Sequence, residues 1–119
     1  MWSGLYPARL AVSEDDGANW SELKQAGDWG GIVVMGCLEK LNTEKGHYLA
    51  MFHDDGRFFT EKPNRRSPVV FTLYKTFSKD GGLTWSDPVP ILARSDVHLC
   101  EPGIIRSPDG KQLLASLNR

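Results

Sequence analysis

Only two of the 119 residues are cysteine. Cys37 and Cys100 are too few to build a disulfide framework and too far apart in sequence to form a zinc-ligand pattern, so they read as two buried free thiols. Long apolar runs are missing as well. No stretch approaches the roughly 20 residues that a membrane helix needs, and "MWSGLYPARL" lacks the basic-then-apolar order of a secretory signal, so no membrane partner is expected. Nor is one sign of charge in excess: 14 Lys+Arg stand against 15 Asp+Glu, for a formal net charge of -1. That balance provides no field to gather phosphate backbones, which makes nucleic acid a poor partner. Clean helical stripes are also lacking. "WSELKQAG" is the nearest to one, but its repeated counterpart "WSDPVPIL" contains prolines that forbid a continuing helix, so both are read as strands.

What is present is an ordinary globular composition, 40% hydrophobic and 24% charged, in a chain long enough for one modest core. The apolar runs are short, rich in β-branched and aromatic residues, and bounded by Gly, Pro, Asn and Asp, which is the pattern of strands. "GIVVMGCLEKL" runs into a polar turn and returns as "GHYLAMF"; after "HDDGRFFTEKPNRRS" come "PVVFTLYKTF", another turn, and "DPVPIL".

That last turn occurs twice. "SEDDGANWSE" at residues 13–22 is echoed by "SKDGGLTWSD" at 78–87, so that Ser13, Asp15, Gly17 and Trp20 recur as Ser78, Asp80, Gly82 and Trp85, each displaced by 65 positions. "LNTEKGHYLA" and "RSPDGKQLLA" repeat around Gly46 and Gly110, displaced by 64. Two registers agreeing within one residue mean that a supersecondary unit repeats. Four antiparallel strands at a fixed period are the unit of a β-propeller. The expected organisation is therefore all-β. Residues 1–28 supply the last two strands of one blade, 29–92 a full blade, and 93–119 the first two strands of the next. Such an arc is open, and the sequence is expected to be a fragment of a longer chain or a chain that completes itself by self-association through its blade edges.

The spacing Ser-x-Asp-x-Gly-x-x-Trp suits a hairpin that locks itself. Ser and Asp side chains bond nearby backbone groups, Gly accepts positive φ, and Trp covers apolar surface. "NWS" at 19–21 formally fits a glycosylation acceptor, but it lies inside this turn and carries little weight. The turn resembles the Asp-box, or bacterial neuraminidase repeat, of sialidases and other propeller proteins. Because strand direction alternates, both box turns share one face with "NTEKG" and "SPDGK". The opposite face collects His53, Asp54, Asp55, Arg57, Glu61, Lys62, Arg65, Arg66, Arg94, Asp96, His98 and Glu101.

"LCEPGIIRSPDGKQLLASLNR" is similar to the sialidase segment that supplies a catalytic Glu and, one strand later, an arginine of the clamp that holds the substrate carboxylate. The resemblance implies hydrolysis of a terminal sialic acid linkage, with Glu101 as the catalytic residue that activates a Tyr nucleophile from elsewhere. Arg119 and Arg57 would bind the substrate carboxylate, since a guanidinium offers it two parallel hydrogen bonds. Asp54 and Asp55, in "HDDGRF", complete the candidate substrate loop. The corresponding loop "TEKPNRRSP" has no Asp to serve as the family's acid. The partner implied is a sialic-acid-containing or other acidic glycan. No cofactor is called for, and a metal set from His53, Asp54 and His98 is geometrically open but not required by their spacing. The alternative is a non-catalytic propeller that binds carbohydrate or protein on the same face.

Overall fold

The computed structural model describes residues 8–27, 29, 34–54 and 70–118. Among these, every regular element is a strand: β1 (Arg9–Leu10), β2 (Lys24–Gln25), β3 (Val34–Lys40), β4 (Tyr48–Asp54), β5 (Phe71–Ser78), β6 (Val89–Arg94), β7 (Cys100–Arg106) and β8 (Leu113–Asn118). They form three antiparallel sheets in chain order: β1-β2, then β3-β4-β5-β6, then β7-β8. The chain is all-β, as expected. "WSELKQAG" is not helical; its only regular element is the two-residue β2.

The central sheet is covered on both faces, which explains why "YLAMF" is an unbroken apolar run rather than an alternating one. Successive residues of β4 point to opposite sides. On one side Phe52 stacks between Trp29 and Tyr74, with ring centroids 5.3 and 5.4 Å apart, and Ala8, Ala26 and Trp85 pack against this group. On the other side Leu49, Met51 and Leu73 meet Ile104, Leu113 and Leu117 of the β7-β8 hairpin. Burying a side chain such as Phe52 contributes about 1.5–3 kcal/mol. Cys37 and Cys100 are free thiols but only half-buried, which corrects the expectation of burial. Cys37 borders the second cluster, and burial pushes its thiol up while a backbone hydrogen bond with Met51 pulls the other way.

The repeat is visible in the strand registers. Arg9↔Gln25 and Leu10↔Lys24 in β1-β2 match Tyr74↔Pro90 and Lys75↔Val89 in β5-β6, every residue displaced by 65. Glu39↔Leu49 in β3-β4 matches Ile105↔Leu114 in β7-β8, displaced by 66 and 65. The displacement of 64 belongs to the turn glycines alone, because the turn at 107–112 is one residue shorter than that at 41–47. Both hairpins carry a bulge, at Met35/Cys37 and at Cys100/Gly103. Displacement by 66 makes Pro102 the counterpart of Gly36, and the two are in contact: Pro102 is fully buried, and a methyl group at Gly36 would overlap its ring.

Candidate functional site

β4 and β5 pair from Tyr48↔Ser78 at one end to Asp54↔Thr72 at the other, and the two ends differ in character. At the first end the turns are tied together. The Gly81 N–H donates to the Gly46 carbonyl at 2.9 Å, and the Asn42 amide donates to the Gly110 carbonyl at 3.2 Å. Arg106 reaches across to the Glu39 carboxylate at 2.9 and 3.1 Å and to the Lys40 carbonyl. Gly17 and Trp20 of the first box turn line one groove with Gly82 and Trp85 of the second.

The two box turns are chemically superimposable. The Ser13 hydroxyl donates to Asp15 at 2.8 Å and accepts the Gly17 N–H at 2.7 Å; Ser78 does the same with Asp80 and Gly82, both at 2.8 Å. Asp15 also accepts the Asn19 N–H and side-chain amide, and Asp80 accepts the Thr84 N–H and hydroxyl. Each indole closes its turn on the glycine carbonyl, Trp20 at 3.0 Å and Trp85 at 2.9 Å. These donors stabilise the charged carboxylate. Thr84 and Ser78 hold Asp80 down to about 2, and Asn19 and Ser13 hold Asp15 below the usual carboxylate range. The two serines after the tryptophans were not singled out in the sequence reading, although both quoted strings contain them. Ser21 and Ser86 donate their N–H to Val12 and Phe77 carbonyls at 2.8 Å, and their hydroxyls accept the N–H of the same residues. Because the Asn19 amide is already committed to Asp15, the "NWS" triplet is a piece of turn architecture.

The opposite end gathers His53, Phe71, Arg94, Asp96, His98 and Glu101. Phe71 opens β5, pairs with Arg94, and stacks on the His98 ring with centroids 4.4 Å apart. The His53 ring lies 6.3 Å from Phe71. Arg94 grips Asp96 through Nε at 2.7 Å and Nη2 at 2.5 Å, a bidentate pair that raises the guanidinium further. Glu101 is exposed, sits in the β7 bulge, and has φ of +47°. Its N–H donates to His53 Nδ1 at 3.2 Å, so that nitrogen carries no proton. Among the described residues only Asp16 and Glu101 combine a side chain with positive φ, and Asp16 stands where the second box turn has Gly81. Bulges and left-handed non-glycine residues are places where a fold aims one side chain.

Of the residues expected to touch substrate, the structure brings Glu101 to this end beside His53 and His98. Asp54 is at the same end but only 1% exposed, on the opposite side of β4 from His53, and its charge acts on Tyr74. The phenol of Tyr74 is pushed up mainly by burial and further by Asp54, while a hydrogen bond with Thr72 opposes the shift. Asp54 and Glu101 thus do not share one surface. Asp55, Arg57 and Arg119 lie outside the described residues. Phe71 was hidden in an apolar run that reads as core, and only its position at the strand's first residue marks it. Gly36 was missed too, although a glycine inside an apolar run is a bulge signal.

Neither the family profiles, nor the curated proteins, nor the solved structures compared with this chain give a match.

Proposed function

We propose that the chain carries part of the acidic-sugar site of a sialidase-like β-propeller, and that Glu101 is its catalytic carboxylate. The observation that carries this reading is the division of labour between the two ends. The box turns repeat their Ser, Asp, Gly, Trp and Ser positions at one end, whereas the bulge at the other end holds Glu101 where its counterpart in β3 is Met35. A packing requirement would repeat with the sheet; an acid placed once, in a strained conformation, is a feature of chemistry. The Asp-box resemblance supports the same reading, as does the layering of the three sheets. In this scheme Glu101 draws the proton of a Tyr nucleophile supplied from outside the described residues. The His53 hydrogen bond orients its backbone. Arg57 and Arg119 hold the sugar carboxylate.

The test is hydrolysis of a chromogenic sialoside by the intact protein containing this chain. Glu101→Gln is expected to lower turnover by at least about 100-fold, the scale of a lost general base, while binding of free sialic acid, followed by amide chemical shifts around His98 and Glu101, persists. Turnover unchanged by the substitution removes Glu101 from the reaction.

A second reading is favoured by the Arg94–Asp96 pair, which takes up two of the guanidinium's donors, and by the stack of half-buried Phe71 on exposed His98, a surface on which the apolar side of a sugar ring can lie. In that case the same end binds an acidic glycan without cleaving it. Phe71→Ala then weakens binding at least as much as Glu101→Gln does, and no sialoside is turned over.

A further inference from the structure

We propose that His53 is a positioning residue that works as a proton-operated latch: the neutral ring holds Glu101 in its left-handed conformation, and the protonated ring releases it. As regulation of the acidic-sugar site this rests on the catalytic reading of Glu101, whereas the latch itself rests on geometry alone.

The bulge of β7 contains a backbone donor that is met outside the ladder. Cys100 pairs with Asn118 and pairing resumes at Gly103, so Glu101 and Pro102 together face one residue of β8. Pro102 has no N–H to place. The Glu101 N–H crosses from β7 to β4 and donates to His53 Nδ1 at 3.2 Å. Glu101 has φ of +47°, a conformation that a residue with a side chain keeps only where surrounding contacts fix it.

One of those contacts comes from a group that changes character near neutral pH. A neutral imidazole has one nitrogen that accepts, whereas both nitrogens of an imidazolium donate. Below the window of about pH 5–8 in which imidazoles change charge, the Glu101 N–H would point at a second N–H. The bond therefore exists on the alkaline side of that window and is lost on the acid side. Elsewhere in the repeat the position does not titrate. Displacement by 65 makes Asn118 the counterpart of His53, because Val34↔His53 matches Cys100↔Asn118. The sheet that reaches Glu101 is the one that carries histidine.

The charges around the ring set how readily it takes a proton. Across the ladders His53 meets Val34 of β3 and Leu73 of β5, which carry none. Asp54 follows it on β4 and is buried on the other side of that strand. β6 brings Arg94, bound to Asp96 just beyond it, and these two largely offset each other. The segment before β7 brings His98, stacked on Phe71, and β7 brings Glu101 itself. Asp54 and Glu101 thus favour the charged, open state, and a protonated His98 opposes it.

The experiment follows hydrogen exchange of the Glu101 amide by NMR in the intact protein containing this chain, with each rate taken relative to an unstructured amide at the same pH. Protection is expected to fall about fivefold from pH 8 to pH 5, the scale of one lost hydrogen bond. Its midpoint should coincide with that of the carbon-bound ring protons of His53. In His53→Asn, which still accepts but does not titrate, protection should be the same at both pH values. Equal protection at pH 8 and pH 5 in the wild type overturns the latch. So does a midpoint that differs from the ring's, or a fall of the same size in His53→Asn. Sialoside turnover tests the regulation separately: the ratio of kcat/KM for wild type to that for His53→Asn should drop about fivefold over the same range. A flat ratio overturns the regulation. Absence of any cleavage counts against the catalytic reading, and the exchange result still decides the latch.

Discussion

A methyl group on Gly36 would lie 2.4 Å from Cδ of Pro102 and 2.5 Å from its carbonyl oxygen. The bulge of β3 and the bulge of β7 are therefore seated directly on one another, and Glu101, the residue before Pro102, takes its position from that contact. Gly36→Ala should cost about 1–3 kcal/mol through overpacking, because the atoms it meets include backbone. Gly103→Ala, whose new methyl would sit 3.7 Å from the Ser116 hydroxyl, is the control and should change stability by less than about 1 kcal/mol. Urea denaturation of the two variants measures the difference.

The third residue before Asn19 and Thr84, the donors of the two box turns, need not be glycine, but the backbone there is left-handed. Asp16 has φ of +55° and its counterpart Gly81 +80°, followed by Gly17 at +89° and Gly82 at +92°. Gly82→Ala should therefore lose about 1–2 kcal/mol, the cost of forcing a Cβ into this region. Asp16→Gly should change stability far less, since relief of the left-handed backbone is offset by the greater freedom glycine has when unfolded. Thermal melts of both variants test the pairing.

Acid should weaken the box turns in a defined window. Asp80 titrates at about 2 in the folded chain against an ordinary 3.8. A depressed carboxylate contributes stability above its unfolded value and loses it as pH falls through its folded value. The contribution is thus complete above about pH 5, falls progressively as the pH drops through the folded value, and is gone near pH 1. Asp80→Asn should flatten that part of the stability curve; an acid limb as steep as the wild type's would show that other carboxylates govern it.

His53 is expected to act on Glu101 through the backbone. Removing the acceptor with His53→Ala should speed hydrogen exchange at the Glu101 amide by about fivefold or more, the equivalent of one lost hydrogen bond of about 1 kcal/mol. Exchange at Ile104, further along β7, should not change. His53→Asn, which can still accept, should restore part of the protection.

Much of the fold is legible in the sequence because the signals are local. The doubled Ser-x-Asp-x-Gly-x-x-Trp turn announces the hairpins, and β-branched runs such as "PVVFTLYKTF" announce the strands between them. What escapes is parity. A bulge shifts the alternation by one, so nothing in "MGC" or "CEPG" tells which neighbour faces which sheet; Asp54 and Glu101 look like companions in sequence and end on different sides of β4. The half-burial of Cys37 and Cys100 is hidden for a related reason, since it depends on how far one sheet overlaps the next. Glu101 could be picked out by type and place, but its left-handed backbone and its bond to His53 emerge only from three-dimensional contact.

The unequal exposure of Trp20 and Trp85 gives the molecule an optical readout of its own. Both indoles are fixed in the same way on a glycine carbonyl, so a difference in their emission reports only on what lies over them. Light from Trp20 should be red and easily quenched by iodide, and light from half-buried Trp85 bluer and less easily quenched. Any surface that settles on the first turn would shift the red, iodide-quenched part of the four-tryptophan emission toward the blue.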